Sequence, residues 1–171
     1  MIISLTGFMG CGKSSVGREL SRLLCCPFMD LDSVIEEREG RSIPEIFATE
    51  GEAAFRRMEA EALKECIYGP SSDKLLLALG GGTVMTEECA KIVHEKTVCI
   101  YLRASVETLM DHLAGEVDNR PMLAGNLRTR IEELMSIRSA TYEKTAHIMI
   151  DTDGKTIVEI AREISIRGLF I

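Results

Sequence analysis

The stretch Gly7-Phe8-Met9-Gly10-Cys11-Gly12-Lys13-Ser14 fits the pattern G-x-x-x-x-G-K-[ST]. It stands between an apolar run, Ile2 to Leu5, and a segment whose apolar residues Val16, Leu20, Leu23 and Leu24 share one helical face. A buried strand, a glycine turn and a helix in that order place successive backbone N–H groups and the positive end of the helix around one point. Such a point holds polyphosphate. In it Lys13 is expected to reach the β- and γ-phosphates and Ser14 to coordinate Mg²⁺, with Gly10, Cys11, Gly12 and Ser15 completing the nucleotide-binding set. The plainer alternative is a glycine turn that only caps a helix.

Further strands alternate with helices. Pro27 and Phe28 open a short segment ending in Asp30-Leu31-Asp32, after which Ser33 and Glu36 have the spacing of a capping box. Two carboxylates therefore leave the end of a strand, where ligands of open α/β sheets bind. Turn or helix-cap roles stand beside that reading. From Ser33 to Ile67 the pattern is helical, broken by Gly40 and Gly51, with further capping boxes at Ser42/Glu45 and Thr49/Glu52. Such an insertion exceeds what a simple crossover needs. Arg56 and Glu59 share a face there, either as a functional pair or as a solvated ion pair of little worth.

Leu75 to Leu79 reads as a central buried strand running into Gly80-Gly81-Gly82-Thr83, three residues of bare backbone at the same ligand edge or a plain turn. A helix from Thr86 to Glu95, a strand from Thr97 to Leu102 and a helix through Val106, Leu109, Met110 and Leu113 follow. Regularity fails over 114–125, a lid or an ordinary surface loop that contains Arg120. The next apolar stripe, Leu127, Ile131 and Leu134, is extended by Arg138. A charge on such a face finds an anion or snorkels to water. Ala146 to Ile150 makes the last strand, Asp153-Gly154 a turn and Ile157 to Ile164 a closing helix. Alternating strands and helices imply an α/β fold with a mainly parallel sheet in a three-layer sandwich.

Composition narrows the partners. In 171 residues of 46% hydrophobic content, 20 Lys and Arg face 27 Asp and Glu, so the net charge of −7 excludes a global basic field for nucleic acid. One domain, 1–171, fits this length. No run approaches the ~20 apolar residues of a membrane span, and the first residues lack the basic flank of a signal peptide. The six cysteines, at 11, 25, 26, 66, 89 and 99, lack zinc spacing and read as reduced thiols of a cytoplasmic protein. Cys11 is either a filler of the phosphate loop or a thiol activated by the helix terminus. His94, His112 and His147 share no ligand spacing and read as structural.

Together these pieces make a phosphoryl-transfer site, with Arg56 and Arg138 suited to a carboxylate or phosphate on a small acceptor. The Gly7–Ser14 loop, Asp30-Leu31-Asp32, Phe55-Arg56-x-x-Glu59, Gly80-Gly81-Gly82-Thr83 and Arg120-Pro121-x-Leu123 occur in the order and approximate spacing of shikimate kinases, and the chain resembles that family over essentially its whole length. The resemblance implies a P-loop kinase of the nucleoside-monophosphate-kinase-like fold, with a five-stranded parallel sheet of order 2-3-1-4-5, a helical substrate-binding region at 31–67 and a lid at 114–125. It implies a cytoplasmic monomer using ATP and Mg²⁺ to phosphorylate the 3-hydroxyl of shikimate in chorismate and aromatic amino-acid synthesis.

Carried onto this sequence, the resemblance makes Asp32 the base and a shikimate ligand, and Asp30 a water-mediated magnesium partner. Arg56 and Arg138 become the carboxylate clamp, and Glu59 orients Arg56. Gly80, Gly81 and Gly82 line the acceptor, with Gly81 a backbone donor, while Phe47 and Phe55 wall the pocket and Arg120 is the lid arginine. Two positions depart from the family pattern. Met110-Asp111-His112-Leu113 lacks the arginine that many members pack on adenine, and Lys13-Ser14-Ser15 replaces Lys-Ser-Thr. A kinase for another small hydroxy acid such as gluconate is the nearest alternative. A nucleotide switch is the other, since Asp151-Thr152-Asp153-Gly154 fits D-x-x-G although no Asn-Lys-x-Asp element accompanies it.

Overall fold

The apolar runs become strands β1 (Ile2–Thr6), β2 (Phe28–Asp30), β3 (Leu75–Ala78), β4 (Val98–Arg103) and β5 (Ile148–Asp151) in a computed structural model that describes residues 1–70, 73–114, 121–123 and 125–167. They pair in one parallel sheet of order β2-β3-β1-β4-β5, the order the resemblance implies. The central strands are largely apolar because both faces are covered: Ile3, Leu5, Leu76, Leu77, Ile100 and Leu102 are all fully buried, and so are the polar Ser4 and Thr6 of β1. Helices α1 (Lys13–Leu24), α2 (Leu31–Glu39), α3 (Ile43–Tyr68), α4 (Glu87–Lys96), α5 (Val106–Leu113), α6 (Leu127–Thr145) and α7 (Ile157–Ile166) flank it. Among them α1 packs on α7, α2 on α3, and α4 and α5 on α6. A parallel sheet sends every strand's carboxyl end to one edge, so the segments after β1, β2, β3 and β5 meet there. Among the described residues no helix is long and apolar enough to cross a membrane.

Two capping expectations are corrected. Helix α2 starts at Leu31 with Asp30 as its cap, because Asp30 Oδ1 accepts the N–H groups of Asp32 (3.0 Å) and Ser33 (3.4 Å). Glu36, expected to close a box with Ser33, instead accepts the Ile43 N–H at 3.0 Å and ties α2 to α3. The Ser42/Glu45 box at the start of α3 is present. Thr49 and Glu52 form none: Thr49 donates its hydroxyl to the Glu45 carbonyl, and the helix continues to a kink at Gly51 (φ 83°). That left-handed φ is open to glycine and strained for other residues, so Gly51 lets the arm bearing Phe47 bend relative to the one bearing Arg56.

At the opposite edge of the sheet, the His147 N–H donates to the Cys99 carbonyl (2.8 Å) and its Nδ1 accepts the Cys99 N–H (3.0 Å). The ring stacks on His94 at 4.6 Å. Desolvation, then the neighbouring His94, lower the His147 pKa from 6.5. The unfolded chain therefore takes the proton first. The clasp's contribution is complete above about pH 6.5 and is lost as pH falls through the lower folded-state value. Melting temperatures measured from pH 8 to pH 5 should fall further for the wild type than for His147→Gln, and parallel curves would count against the clasp.

Candidate active site

The phosphate side of the site is built by β1 and α1. Helix α1 has Gly12 as its N-cap, with no side-chain cap and no acidic residue in its first turn, which leaves its first N–H groups for an anion. Lys13 is nearly buried and folds back over the loop, donating from Nζ to the carbonyls of Gly7 (2.8 Å) and Phe8 (3.0 Å). The Cys11 thiol is buried 3.8 Å from that ammonium, beneath the turn, which is the filler position. Burial raises the thiols of Cys26, Cys66 and Cys89, and pushes Cys99 up to about 12. All six cysteines are unpaired. Ser14 donates its hydroxyl to Asp30 Oδ2, so Asp30 holds the serine with one oxygen and caps α2 with the other.

These groups open into a cleft of about 960 Å³ lined by the loop 9–16 together with Asp30, Asp32, Leu79 and Gly81. Asp32 Oδ1 lies 2.9 Å from where a Cβ on Gly80 would stand. The neighbouring glycines face the two arginines, tightly at Gly82 and less so at Gly81. A Cβ on Gly82 would come within 2.6 Å of Arg56 Nη1, and one on Gly81 within 3.6 Å of Arg138 Nη1 and 3.1 Å of the Met9 N. Bare backbone at Gly80 and Gly82 is what lets Asp32 and the Arg56 guanidinium close on this loop, with Arg138 in ordinary contact beside them.

Arg56 pairs through Nη1 with Glu59 Oε1 at 2.8 Å, and Glu59 is 1% exposed. The solvated-pair reading fails for this bridge. Burial works against the Arg56 charge, but Glu59, helped by Glu52, outweighs it and raises the guanidinium pKa above its ordinary value. Phe47 and Phe55 stack obliquely at 4.9 Å, with the Arg56 guanidinium 5.2 Å from the centre of the Phe55 ring. Arg138 continues the buried face of α6, between Leu134 and Tyr142. At 3% exposure it does not snorkel, and its buried Nη1 has no hydrogen-bond partner among the described residues. A buried cationic donor without an acceptor is costly unless a ligand supplies one.

Several residues around the cleft escape sequence reasoning. Tyr142 donates its hydroxyl to the Gly81 carbonyl, fixing the central peptide of the triglycine loop from α6. Its only sequence signal is its place four residues after Arg138 on the same face. The ring of His112, expected to be structural, bonds through Nδ1 to the Gly10 carbonyl at 2.6 Å and lines the cleft with Thr108, Asp111, Thr152 and Lys155. The D-x-x-G match serves the fold: Asp151 pairs with Arg103, and Asp153 accepts the Ser105 N–H at 3.0 Å to start α5. Of the expected lid, 115–120 and 124 lie outside the described residues, Arg120 among them. Pro121–Leu123 forms a 3₁₀ turn with Leu123 buried.

The family model for shikimate kinase matches residues 9–167. A shikimate kinase of Thermus thermophilus is 45% identical over 163 residues, covering 95% of this chain and 86% of that protein. That of Bordetella pertussis is 42% identical, covering 95% and 75%. Among solved structures, shikimate kinase from Acinetobacter baumannii in complex with shikimate superposes with a TM-score of 0.91 at 34% identity, covering 96% of this chain and 90% of that one. The enzyme from Aquifex aeolicus gives 0.80 at 33% identity, covering 98% and 95%.

Proposed function

The chain belongs to the shikimate kinase family, and from that premise we propose that its cleft holds ATP on the phosphate loop and shikimate between Asp32, Gly81 and the two arginines. It is an ATP-dependent kinase acting on an alcohol group: the γ-phosphoryl passes to the 3-hydroxyl of shikimate, leaving shikimate 3-phosphate and ADP. One observation carries the acceptor assignment. Arg138 Nη1 is buried, unpartnered among the described residues and set beside Gly81, so this position calls for an anionic oxygen from a ligand. The shikimate carboxylate supplies it, with Arg56 as the second arm of a bidentate clamp.

Asp32 then orients the acceptor hydroxyl and takes its proton as the O–P bond forms, while Gly81 offers backbone to the substrate. Phe47 and Phe55 form the apolar wall, and α2 and α3, over 31–67, carry the acceptor region. Lys13 exchanges loop carbonyls for β- and γ-phosphate oxygens, supported by the N–H groups of Gly10, Gly12 and Ser15, while Cys11 gives its own N–H to the Phe8 carbonyl and holds the turn. Arg120, from the lid at 114–125, closes over the transferring group and helps exclude water. Ser14 and Asp30 form an adjacent pair of hard oxygen donors that fits Mg²⁺, with Asp30 acting through water. An ion held there by Ser14 and Asp30 would supply positive charge to offset that developing on the phosphates.

Release of ADP should depend on shikimate in a coupled assay over a panel of hydroxy acids containing MgATP. Gluconate, the alternative acceptor, is not favoured by relatives that are 40–45% identical and named shikimate kinases. Strong turnover of gluconate with none of shikimate would reverse the assignment.

A further inference from the structure

Glu59 divides its two oxygens: Oε1 holds Arg56, and Oε2 accepts a 2.8 Å hydrogen bond from the hydroxyl of Thr83. Thr83 is fully buried immediately after the triglycine loop, and its own N–H donates to the Gly80 carbonyl at 3.3 Å. The residue that grips the carboxylate is thus tied to the same loop that the acceptor is read to touch. We propose that Thr83 is a positioning residue for acceptor binding, locking Glu59 and through it the Arg56 guanidinium against the triglycine loop. This rests on the reading of Arg56 as one arm of the clamp.

The hydroxyl matters because Arg56 has a choice of partners. Glu52 reaches Nη2 at 3.5 Å from the other side, and its side chain is 51% exposed, against 2% for Glu59. With Thr83 holding Oε2, the Glu59 carboxylate presents Oε1 in one orientation and keeps the guanidinium inside, flat against Gly82. Without that bond, Oε2 becomes a buried acceptor with no donor from Thr83. The carboxylate turns to satisfy it, and the pull of Glu52 toward water gains weight. Acceptor affinity then falls although every residue of the clamp is still present.

Three variants separate this from a packing role. Thr83→Val keeps the shape and removes the donor; Thr83→Ser keeps the donor and removes a methyl group. The valine variant should raise the acceptor KM about tenfold with the ATP KM unchanged within twofold, and serine should restore the wild-type acceptor KM. In an Arg56→Lys background, where the fork is already gone, Thr83→Val should add less than twofold. An unchanged acceptor KM in the valine variant, equal impairment by serine and valine, a matching rise in the ATP KM, or full additivity with Arg56→Lys would each overturn the proposal. Should the valine variant not fold, Thr83→Ala against Thr83→Ser reads the same contrast.

A wild type that turns over ATP but ignores shikimate would refute the functional reading and leave only the link from Thr83 through Glu59 to Arg56 to be tested. The link is then decided without an acceptor by NMR of the Arg56 guanidinium. Its exchange with water should be slow in the wild type and the serine variant and faster in the valine variant. Equal rates in all three would overturn it.

Discussion

Replacing Asp32 with asparagine is expected to lower kcat by about 10²–10⁴-fold, the range for loss of a positioned general base, while ATP binding stays within a few-fold of the wild type. The two carboxylates at the end of β2 are not equivalent. Asp30 commits one oxygen to the Ser14 hydroxyl and the other to the start of α2, so it is anchored to the nucleotide side. Asp32 stands one residue into α2, with its Oδ1 against the triglycine loop in the same cleft, on the side proposed for the acceptor. Asparagine reproduces its volume and can still accept a hydrogen bond at Oδ1, but cannot take a proton. Steady-state kinetics with saturating shikimate, together with calorimetric titration of ATP, measure the two halves separately. Near-normal turnover would remove Asp32 from the chemistry. Equal losses in turnover and nucleotide affinity would instead point to a disturbed phosphate loop.

The parts of this site that are legible in sequence are those whose function is local. A phosphate loop must be contiguous, because its work is done by consecutive backbone N–H groups, and the acids and glycines that follow strands inherit their place from a parallel sheet. Arg138 is legible for another reason: a charge breaks an apolar stripe, and by burying it the structure rules out a snorkelling side chain. Capping boxes are less secure, since several acids and hydroxyls can compete for the same N–H groups. Asp30 displaces Ser33 in that competition, and Glu36 turns to the next helix. What sequence cannot reach is the pairing of distant residues. Thr83 meets Glu59 from 24 residues away, and Tyr142 meets Gly81 from 61. Those bonds depend on how α3 and α6 pack around the loop after β3, and no periodicity encodes that.

The largest effect on acceptor affinity should come from Arg138. Arg138→Lys is expected to raise the shikimate KM by about 10–150-fold, the worth of one hydrogen bond to a charged group, with little change in the ATP KM. Lysine keeps the charge but offers a point in place of a planar fork, on a helix whose neighbours Leu134 and Tyr142 fix the reach of the side chain. Arg138→Met goes further and distinguishes a ligand-binding arginine from a structural one. If this arginine were there for the fold, its removal would strand a buried partner and lower the melting temperature. Its Nη1, however, is buried without a hydrogen-bond acceptor among the described residues. Exchanging a desolvated cation for a shorter, flexible apolar side chain should therefore leave the ligand-free protein close to the wild type in stability, the contacts with Tyr142 and Phe8 being lost together with the cost of the buried charge. The same variant should lose the stabilisation that shikimate gives the wild type, because a ligand raises the melting temperature only in proportion to its affinity for the folded state. Melting curves with and without shikimate read both effects in one experiment. A methionine variant that melts well below the wild type without ligand, yet is still stabilised by shikimate, would make Arg138 a structural residue and leave the acceptor carboxylate to Arg56.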